Sequence, residues 1–345
     1  MPLYKAKPKN LYDGQVKMGI IGWTCKNVDK VIRNYKLKCL FKNQFSDVYS
    51  DKHNKYILKI FRSAKGASSQ DMYYTEKKHL EILSNVEYVN RHIPKILEHD
   101  DKEKFILMEH KGTDGIELIN NRQYNPLAFE NFINQVPKII DKINKEGFVH
   151  RDIKPENLVY NVTTGMWSII DFAFMEPSVH YGKIDFKGTF PYCAPFLGNK
   201  LYLHEFLQHN KLKDIKICAD YFSFALAAFS LEGNQHITND NDMAVEVSLS
   251  PIYSAIINPK ESDVIKALAE IVLSCVNVGY SSITWYTHSV GGRNCSFTDV
   301  FKCDMFKNRK VEKNVIKCWE KFMSIIEKQN VEINCSHVQT ETKYE

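Results

Sequence analysis

The stretch that decides the fold reads HRDIKPEN and covers residues 150–157. It places a carboxylate, a cation and a carboxamide close together, at Asp152, Lys154 and Asn157. Phosphoryl transfer depends on charged groups held in fixed positions more than on covalent chemistry by the protein. The pattern therefore favours a site that transfers phosphoryl groups.

The chain before this stretch alternates short strand-like runs with turn-forming residues. Runs of strand-forming residues lie at 38–41, 47–49, 56–61, 95–98 and 105–109, and apolar residues at helical spacing lie at 70–84. This pattern predicts an antiparallel sheet with one helix inserted into its strand order. Residues 1–34 are basic and irregular, and they predict either a mobile extension or a cap on the sheet.

Helical periodicity dominates the chain after residue 110. Predicted helices lie at 131–145, 220–231, 264–276, 296–301 and 311–328, and two short strands lie at 158–160 and 167–170. Residues 172–195 lack strong periodicity, and they predict an ordered functional loop. The chain after Gln329 is polar, so we expect a loose tail.

Composition is that of a folded protein with a sizeable core, because 44% of the 345 residues are apolar and 25% are charged. The formal net charge of +5 is too small to favour a nucleic-acid partner. The nine cysteines show no CxxC spacing, which favours a reducing compartment over a disulfide framework or a zinc site. No apolar run predicts a membrane span or a signal peptide, so we expect an intracellular protein, cytoplasmic or nuclear, without a membrane partner.

Residues 40–306 resemble a eukaryotic-type serine/threonine protein kinase. The resemblance rests on HRDIKPEN and on the order of a strand lysine, a helix glutamate, the catalytic loop and a strand-end aspartate. It implies an α+β, bilobal protein-kinase-like fold, with a small antiparallel-sheet N-lobe that carries one key helix and a larger, mainly helical C-lobe. The implied divisions are a basic extension at 1–34, the N-lobe at 35–109, the C-lobe at 110–306, and a C-terminal helix and polar tail at 307–345.

The resemblance implies that ATP binds between the two lobes. Lys59, in the segment YILK, would hold the inner phosphates of the nucleotide. An ammonium group needs a partner that fixes its position, and Glu76 on the predicted helix matches that partner. The ordered pair favours a functional role over two unrelated surface charges.

The adenine ring would stack between apolar side chains, among which we expect Leu40 and Val48. Met108 would control access to the space behind the ring. The backbone from Glu109 to Lys111 would form hydrogen bonds with adenine at the hinge between the lobes.

The resemblance also assigns the catalytic groups. Asp152 would accept the proton of the incoming hydroxyl, and Lys154 would neutralise charge on the transferring phosphoryl group. Asn157 and Asp171 would bind Mg²⁺, since hard oxygen ligands suit that ion. Thr189, in the substrate-docking segment GTFPYCAP, would form hydrogen bonds with Asp152 and Lys154.

Further residues match supporting roles in the family. Asp220 would anchor the backbone of the catalytic loop from below, and His150 would hold that loop by packing and hydrogen bonds. Arg151 would sense a phosphate or an acidic group on the activation segment. Ser178 and Tyr181 are available as phosphate acceptors, although ordinary surface positions explain such residues more often.

Several positions depart from the family pattern. The three glycines of the nucleotide loop are replaced by Phe41, Asn43 and Ser46. Glycine serves there because backbone amides must approach the phosphates closely, so the replacements predict weaker nucleotide binding or another path of the loop. Ala173 replaces a glycine after Asp171, and Phe196 replaces a glutamate that would form a buried ion pair in the C-lobe, for which Arg293 would be the partner.

Three functions remain open on this basis. An active, monomeric serine/threonine protein kinase that uses ATP and Mg²⁺ on a protein hydroxyl is favoured, because Lys154 is typical of that class. A pseudokinase scaffold is the alternative that the altered nucleotide loop suggests. A small-molecule phosphotransferase is disfavoured by Lys154 and GTFPYCAP. The sparse glycines and short extensions are also similar to kinases of large DNA viruses, which would place the protein in a host cell.

Overall fold

A five-stranded antiparallel sheet forms the N-lobe. Its strands are β1 (Lys38–Lys42), β2 (Ser46–Ser50), β3 (Tyr56–Phe61), β4 (Ile96–Asp100) and β5 (Phe105–Glu109). Their order is β1-β2-β3-β5-β4, so the predicted sheet is confirmed. The computed structural model describes residues 26–43, 45–62, 69–121, 125–179, 187–198, 200–232, 238–241, 244–276, 282–286, 296–297 and 311–341.

Helix α1 (Lys26–Tyr35) covers one face of this sheet. The buried side chains between them are Val28, Val31, Leu37, Leu58, Phe105 and Leu107. Glu103 accepts hydrogen bonds from the backbone amides of Asn27 (3.1 Å) and Val28 (2.8 Å). These amides lie in the first turn of the helix, where backbone partners are missing. Of the two alternatives predicted for residues 1–34, the cap on the sheet is the one that residues 26–34 form, because contacts distant in sequence stabilise a helix there. Residues 1–25 lie outside the described part of the chain.

Helix α2 (Ser69–Leu83) packs on the opposite face and confirms the predicted helix of the N-lobe. The buried side chains at this contact are Phe61, Tyr73, Ile106 and Met108. Successive side chains of a strand point to opposite faces of the sheet. Leu58 therefore faces α1, whereas Lys59 lies on the side of α2.

The C-lobe is built around one buried helix. Its helices are α3 (Gly115–Asn120), α4 (Pro126–Lys145), α5 (Lys200–His209), α6 (Ile215–Glu232), α7 (Ser250–Ile257), α8 (Asp263–Ser274) and α9 (Val315–Glu341). Residues 218–231 of α6 are all buried, as expected for a helix that is apolar on every side. Phe224 of α6 stacks on Phe132 of α4, with ring centroids 5.4 Å apart.

Short strands enclose the HRDIKPEN segment. They are β6 (Thr113–Asp114), β7 (Phe148–Val149), β8 (Leu158–Asn161), β9 (Met166–Ile169) and β10 (Glu176–Pro177). Strand β8 pairs with β6 and β9, and β7 pairs with β10. The segment therefore begins directly after β7 and ends directly before β8, which fixes both of its ends.

A four-stranded antiparallel sheet of the C-lobe was not predicted from the sequence. It contains β11 (Thr238–Asn241), β12 (Ala244–Ser248), β13 (Ser282–Tyr286) and β14 (Ser296–Phe297), in that order. The helix predicted at 296–301, and interpreted as the start of a closing helix that ends at 306, is wrong at its first two residues. These residues pair with Trp285 and Tyr286 as a strand, so strand pairing overrides the local helical spacing. The remaining residues, and Arg293, lie outside the described part of the chain.

Helix α9 packs on the C-lobe as its apolar stripe predicts. Trp319 stacks on Tyr221, with ring centroids 3.9 Å apart and an interplanar angle of 4°. The helix continues to Glu341, so the predicted loose tail after Gln329 is wrong. No proline or glycine interrupts the segment, which allows the helical hydrogen bonds to continue.

Among the helices that the structure describes, none combines the length and the apolar character needed to cross a membrane.

Candidate active site

Asp220 of α6 supports the HRDIKPEN segment from below. Its carboxylate accepts hydrogen bonds from the backbone amides of His150 (2.6 Å) and Arg151 (2.9 Å). Arg151 has a φ angle of 69°, a conformation that is uncommon outside glycine and often occurs at functional sites. Burial raises the pKa of Asp220, although the two backbone hydrogen bonds oppose this effect. The predicted support of the loop by Asp220 is present.

A closed cluster of polar side chains surrounds Asp152. Thr189 donates a hydrogen bond to its Oδ1 (2.7 Å), while the ammonium of Lys154 lies 3.0 Å from Oδ2. Lys154 also donates to the hydroxyl of Thr189 at 2.7 Å. Both contacts predicted for Thr189 are therefore present. The cluster fixes a carboxylate and a cation side by side where the docking segment meets the catalytic loop.

Asn157 and Asp171 lie next to this cluster. The amide nitrogen of the Asn157 side chain donates to the backbone oxygen of Asp152 (2.8 Å) and to its Oδ2 (3.0 Å). The backbone oxygen of Asn157 accepts from Ile170 at 3.0 Å, which places Asp171 beside the loop. Because its nitrogen bonds to Asp152, the carboxamide of Asn157 keeps its oxygen for a cation.

Lys59 joins the N-lobe to Asp171. Its ammonium lies 2.7 Å from Glu76 Oε2 and 2.8 Å from Asp171 Oδ1. Burial raises the pKa of Glu76 to about 7, although the charge of Lys59 opposes this shift. Burial would also raise the pKa of Asp171, but the charge and the hydrogen bond of Lys59 outweigh it and hold that pKa below its usual value. The structure thus brings together the strand lysine, the helix glutamate and the strand-end aspartate.

Known protein families agree with this geometry. The profile of the protein kinase domain matches residues 43–278, which is more than half of the chain. The chain belongs to the protein kinase domain family. This kinase is 27% identical over 160 residues to an Aurora kinase of Candida glabrata. The alignment covers 43% of this chain and 44% of that protein.

Two other relatives extend the comparison. The kinase is 27% identical over 168 residues to an Aurora kinase of Saccharomyces cerevisiae, covering 43% of this chain and 44% of that protein. It is 34% identical over 130 residues to a PAS domain-containing serine/threonine-protein kinase of Mus musculus, covering 34% of this chain and 9% of that protein. A solved kinase-domain crystal structure is 18% identical, with a TM-score of 0.44, over 59% of this chain and 65% of that one. The alignments to the two Aurora kinases and to the Mus musculus kinase each cover less than half of those proteins.

The hinge of the kinase leaves one amide free for a ligand. The amide of Glu109 donates to Lys95 O and that of His110 to Lys55 O, both at 3.0 Å. In the described residues no hydrogen bond occupies the backbone amide of Lys111. Of the predicted hinge residues, Lys111 is therefore the one whose amide can bind adenine.

The residues of strand β1 that face the cleft differ from the sequence-based expectation. Val48 and Met108 are buried, as expected for residues that line the cleft. Leu40 lies at an irregularity of the β1–β2 pairing, and the residue opposite Val48 is Phe41. Val48 in turn pairs with Lys59, whose side chain lies in the cleft, and paired residues share a face of the sheet. Phe41 therefore lies on the cleft side, a role that the alignment of motifs assigned to Leu40.

Helix α2 has an anchor that the sequence analysis missed. Asp101, in the turn between β4 and β5, accepts hydrogen bonds from the hydroxyl of Tyr73 (2.6 Å) and the ammonium of Lys77 (2.8 Å). Both donors belong to α2, the helix that carries Glu76. No local pattern could have revealed this anchor, because the acceptor and its donors lie in separate segments.

Arg151 has an acidic partner, Glu176, within the activation segment, which follows Asp171 in the chain. The guanidinium of Arg151 forms an ion pair with Glu176, which also contacts the ammonium groups of Lys187 (2.7 Å) and Lys216 (3.1 Å). Sequence analysis suggested Ser178 and Tyr181 on this segment instead. Ser178 is buried, and Tyr181 lies outside the described residues.

Phe196 takes part in an aromatic contact of the C-lobe. Its ring stacks on Phe206 of α5 at a centroid distance of 4.1 Å, and both rings are buried. The position where the family has a charged glutamate is thus occupied by apolar packing. Replacing a buried ion pair with apolar groups of similar volume is often neutral or stabilising.

Proposed function

We propose that this kinase transfers the γ-phosphoryl group of ATP to a serine or threonine hydroxyl of a protein. The observation that carries the proposal is the closed cluster of Asp152, Lys154 and Thr189. It combines a proton acceptor, Asp152, with a cation, Lys154. The hydroxyl of Thr189 forms a hydrogen bond with each of them. The family shows the fold and the class of domain, and this cluster supports turnover.

Asp152 acts on the incoming hydroxyl. The carboxylate is 5% exposed and is oriented from two sides, by Thr189 at Oδ1 and by Asn157 at Oδ2. An acceptor held in this way aligns the hydroxyl with the phosphorus atom and takes up its proton as the new O–P bond forms. Lys154 lies beside the same carboxylate and stabilises negative charge on the phosphoryl group during transfer.

Asn157 and Asp171 fit the magnesium ion that this chemistry needs. The carboxamide oxygen of Asn157 and the Oδ2 atom of Asp171 have no hydrogen-bond partner among the described residues. Such oxygens are the ligands that Mg²⁺ prefers. When bound, the ion neutralises charge on the outer phosphates.

Lys59 binds the inner phosphates in this proposal. Its pKa lies above the ordinary value: burial would lower it, but the charges of Asp171 and Glu76 outweigh that effect. The ammonium therefore stays charged, and Glu76 holds it in the cleft at 2.7 Å.

The choice of an aliphatic hydroxyl rests on Lys154, which is typical of serine/threonine kinases. The relative from Mus musculus carries that specificity in its name. The contact of Lys154 with Thr189 also joins the catalytic loop to the docking segment, as a kinase with a protein substrate requires.

The test compares the wild type with Asp152→Asn. We expect transfer of radiolabelled phosphate from Mg-ATP to basic or acidic model proteins by the wild type, and none by the variant. Asp141→Asn is the matched control, since Asp141 pairs with Lys145 on the surface of α4. Phosphorylation of aminoglycosides or choline, without any protein phosphorylation, would favour a small-molecule phosphotransferase instead.

A pseudokinase is the second candidate, because the nucleotide loop is free of glycine. In that case the wild type would bind nucleotide but transfer no more phosphate than Asp152→Asn. Calorimetric binding of ATP, measured beside turnover, separates the two functions.

A further inference from the structure

The lid over the cleft, which we define as residues 41–43, 45 and 46, contains a side chain that forms hydrogen bonds with the lid's own backbone. Oδ1 of Asn43 accepts hydrogen bonds from the backbone amides of Phe45 and Ser46, both at 2.8 Å. The backbone amide of Asn43 donates to Ser46 O at 3.0 Å. The side-chain oxygen of Asn43 therefore occupies two amides at the tip of the lid.

These amides are the groups by which such a loop would bind phosphates. Backbone N–H groups of a loop that lacks side-chain obstruction approach phosphate oxygens closely. An amide that already donates to Asn43 has to exchange this bond for one to phosphate, so the gain on binding is smaller. Asn43 thus competes with the phosphates for the same donors.

Arg62, which directly follows β3, also holds the lid in place. The backbone amide of Arg62 donates to Phe45 O at 2.8 Å, and the guanidinium of Arg62 donates to Asp47 at 2.6 Å. The side chain of Asn43 itself is exposed. Rotation of the Asn43 side chain would therefore free both amides while the backbone around them keeps its place.

We propose that Asn43 sets the affinity of the kinase for nucleotide phosphates by occupying the lid amides in the absence of nucleotide. This inference rests on the proposed function, in which ATP binds in the cleft. It predicts that the competition weakens the binding of ATP and ADP, whereas a ligand without phosphates is unaffected.

The test measures dissociation constants for adenosine, ADP and Mg-ATP by calorimetry on the full chain. Asn43→Ala removes the competing oxygen, and we expect it to bind ADP and Mg-ATP about three- to tenfold more tightly, as the net strength of one or two hydrogen bonds implies. Its affinity for adenosine should equal that of the wild type. Asn43→Asp keeps an acceptor and adds negative charge, so it should bind ADP and Mg-ATP more weakly than the wild type does.

Asn161→Ala is the matched control. Oδ1 of Asn161 accepts from the amides of Thr163 (3.0 Å) and Thr164 (3.1 Å), which is the same local geometry. This turn joins β8 to β9 at the end of the hairpin opposite Asp171. Asn161→Ala should leave the affinities for adenosine, ADP and Mg-ATP unchanged. Thermal unfolding of all variants checks that they are folded.

Each contrary outcome has a distinct meaning. If Asn43→Ala binds Mg-ATP as the wild type does, or more weakly, Asn43 does not compete with phosphate and the inference is wrong, while the proposed function stands. If its affinity for adenosine rises as much as its affinity for ATP, the effect is not on the phosphates and the inference also fails. If neither the wild type nor Asn43→Ala binds any of the three ligands, the proposed function fails and the inference fails with it.

Discussion

Glu176 of the activation segment forms an ion pair with Arg151, the residue directly before Asp152. Burial would raise the pKa of Glu176, but the hydrogen bond from Lys187 and the charge of Arg151 outweigh it, so this pKa lies below its usual value. The carboxylate is therefore ionised near neutral pH. We expect it to supply from within the chain the negative charge that Arg151 would otherwise take from a phosphorylated side chain.

We predict that the kinase is active without phosphorylation of its activation segment. Protein treated with phosphatase should keep its activity. Glu176→Gln should lower kcat by at least about tenfold, because removal of one partner of a buried ion pair costs about 3–5 kcal/mol and disturbs the loop that holds Asp152. Glu130→Gln on the exposed surface of α4 serves as the control. Loss of activity after phosphatase treatment, with recovery on phosphorylation, would contradict this prediction.

A second prediction concerns pH. Because burial raises the pKa of Glu76 to about 7, this carboxyl takes up a proton as the pH falls through that value. A protonated Glu76 cannot form the ion pair with Lys59, so kcat/KM for ATP should fall from about pH 8 to about pH 6. Glu76→Gln should be less active and should lack this dependence. A flat profile of the wild type across this range would show that Glu76 stays ionised.

Stability should change in the opposite direction over part of this range. The folded pKa of Glu76 exceeds its ordinary value of 4.5, so the folded state binds the proton more tightly than the unfolded chain. The contribution of Glu76 to the free energy of unfolding is therefore largest below about pH 4.5 and declines as the pH rises toward about 7. Urea unfolding of the wild type and Glu76→Gln at several pH values measures this difference, which should shrink as the pH rises.

Phe41 gives a third prediction. Its ring lies on the cleft side opposite Val48, where it can stack on adenine. Phe41→Ala should raise KM for ATP about two- to tenfold, which corresponds to the usual strength of an aromatic contact. Leu40→Ala should have a smaller effect, because Leu40 lies at the irregularity in the strand pairing. A larger effect at Leu40 would show that the sequence-based assignment was correct.

The aromatic contact of Phe196 with Phe206 leads to a fourth prediction. Phe196→Ala should lower the free energy of unfolding by about 3–5 kcal/mol, as usual for loss of a buried ring. Phe196→Glu, which introduces the family residue, should destabilise at least as much, because a buried charge among aromatic rings is poorly solvated. Leu207→Ala, at an exposed position of α5 next to Phe206, is the control for urea unfolding. A Phe196→Glu variant as stable as the wild type would mean that a cation reaches this position.

The catalytic groups were accessible to sequence analysis because they occur in short segments with fixed spacing. Asp152, Lys154 and Asn157 lie on one loop, and the chain order of Lys59, Glu76 and Asp171 identified the remaining members. Strands were equally accessible where a short apolar run is bounded by turn-forming residues, as in β3 and β5. The four-stranded sheet of the C-lobe was not accessible, since its strands are short and β12 pairs with β13, which lies far along the chain.

The sequence by itself determined which chemical groups the site contains and in which order the chain presents them. Only the tertiary structure decided their surroundings: the ion pair of Arg151 with Glu176, Phe41 opposite Val48, the aromatic contact of Phe196, and the cover that α1 forms on the sheet. The physical reason is that spacing along the chain specifies local geometry. Partners that are distant in sequence are selected by packing and by the exclusion of water, which no single segment encodes.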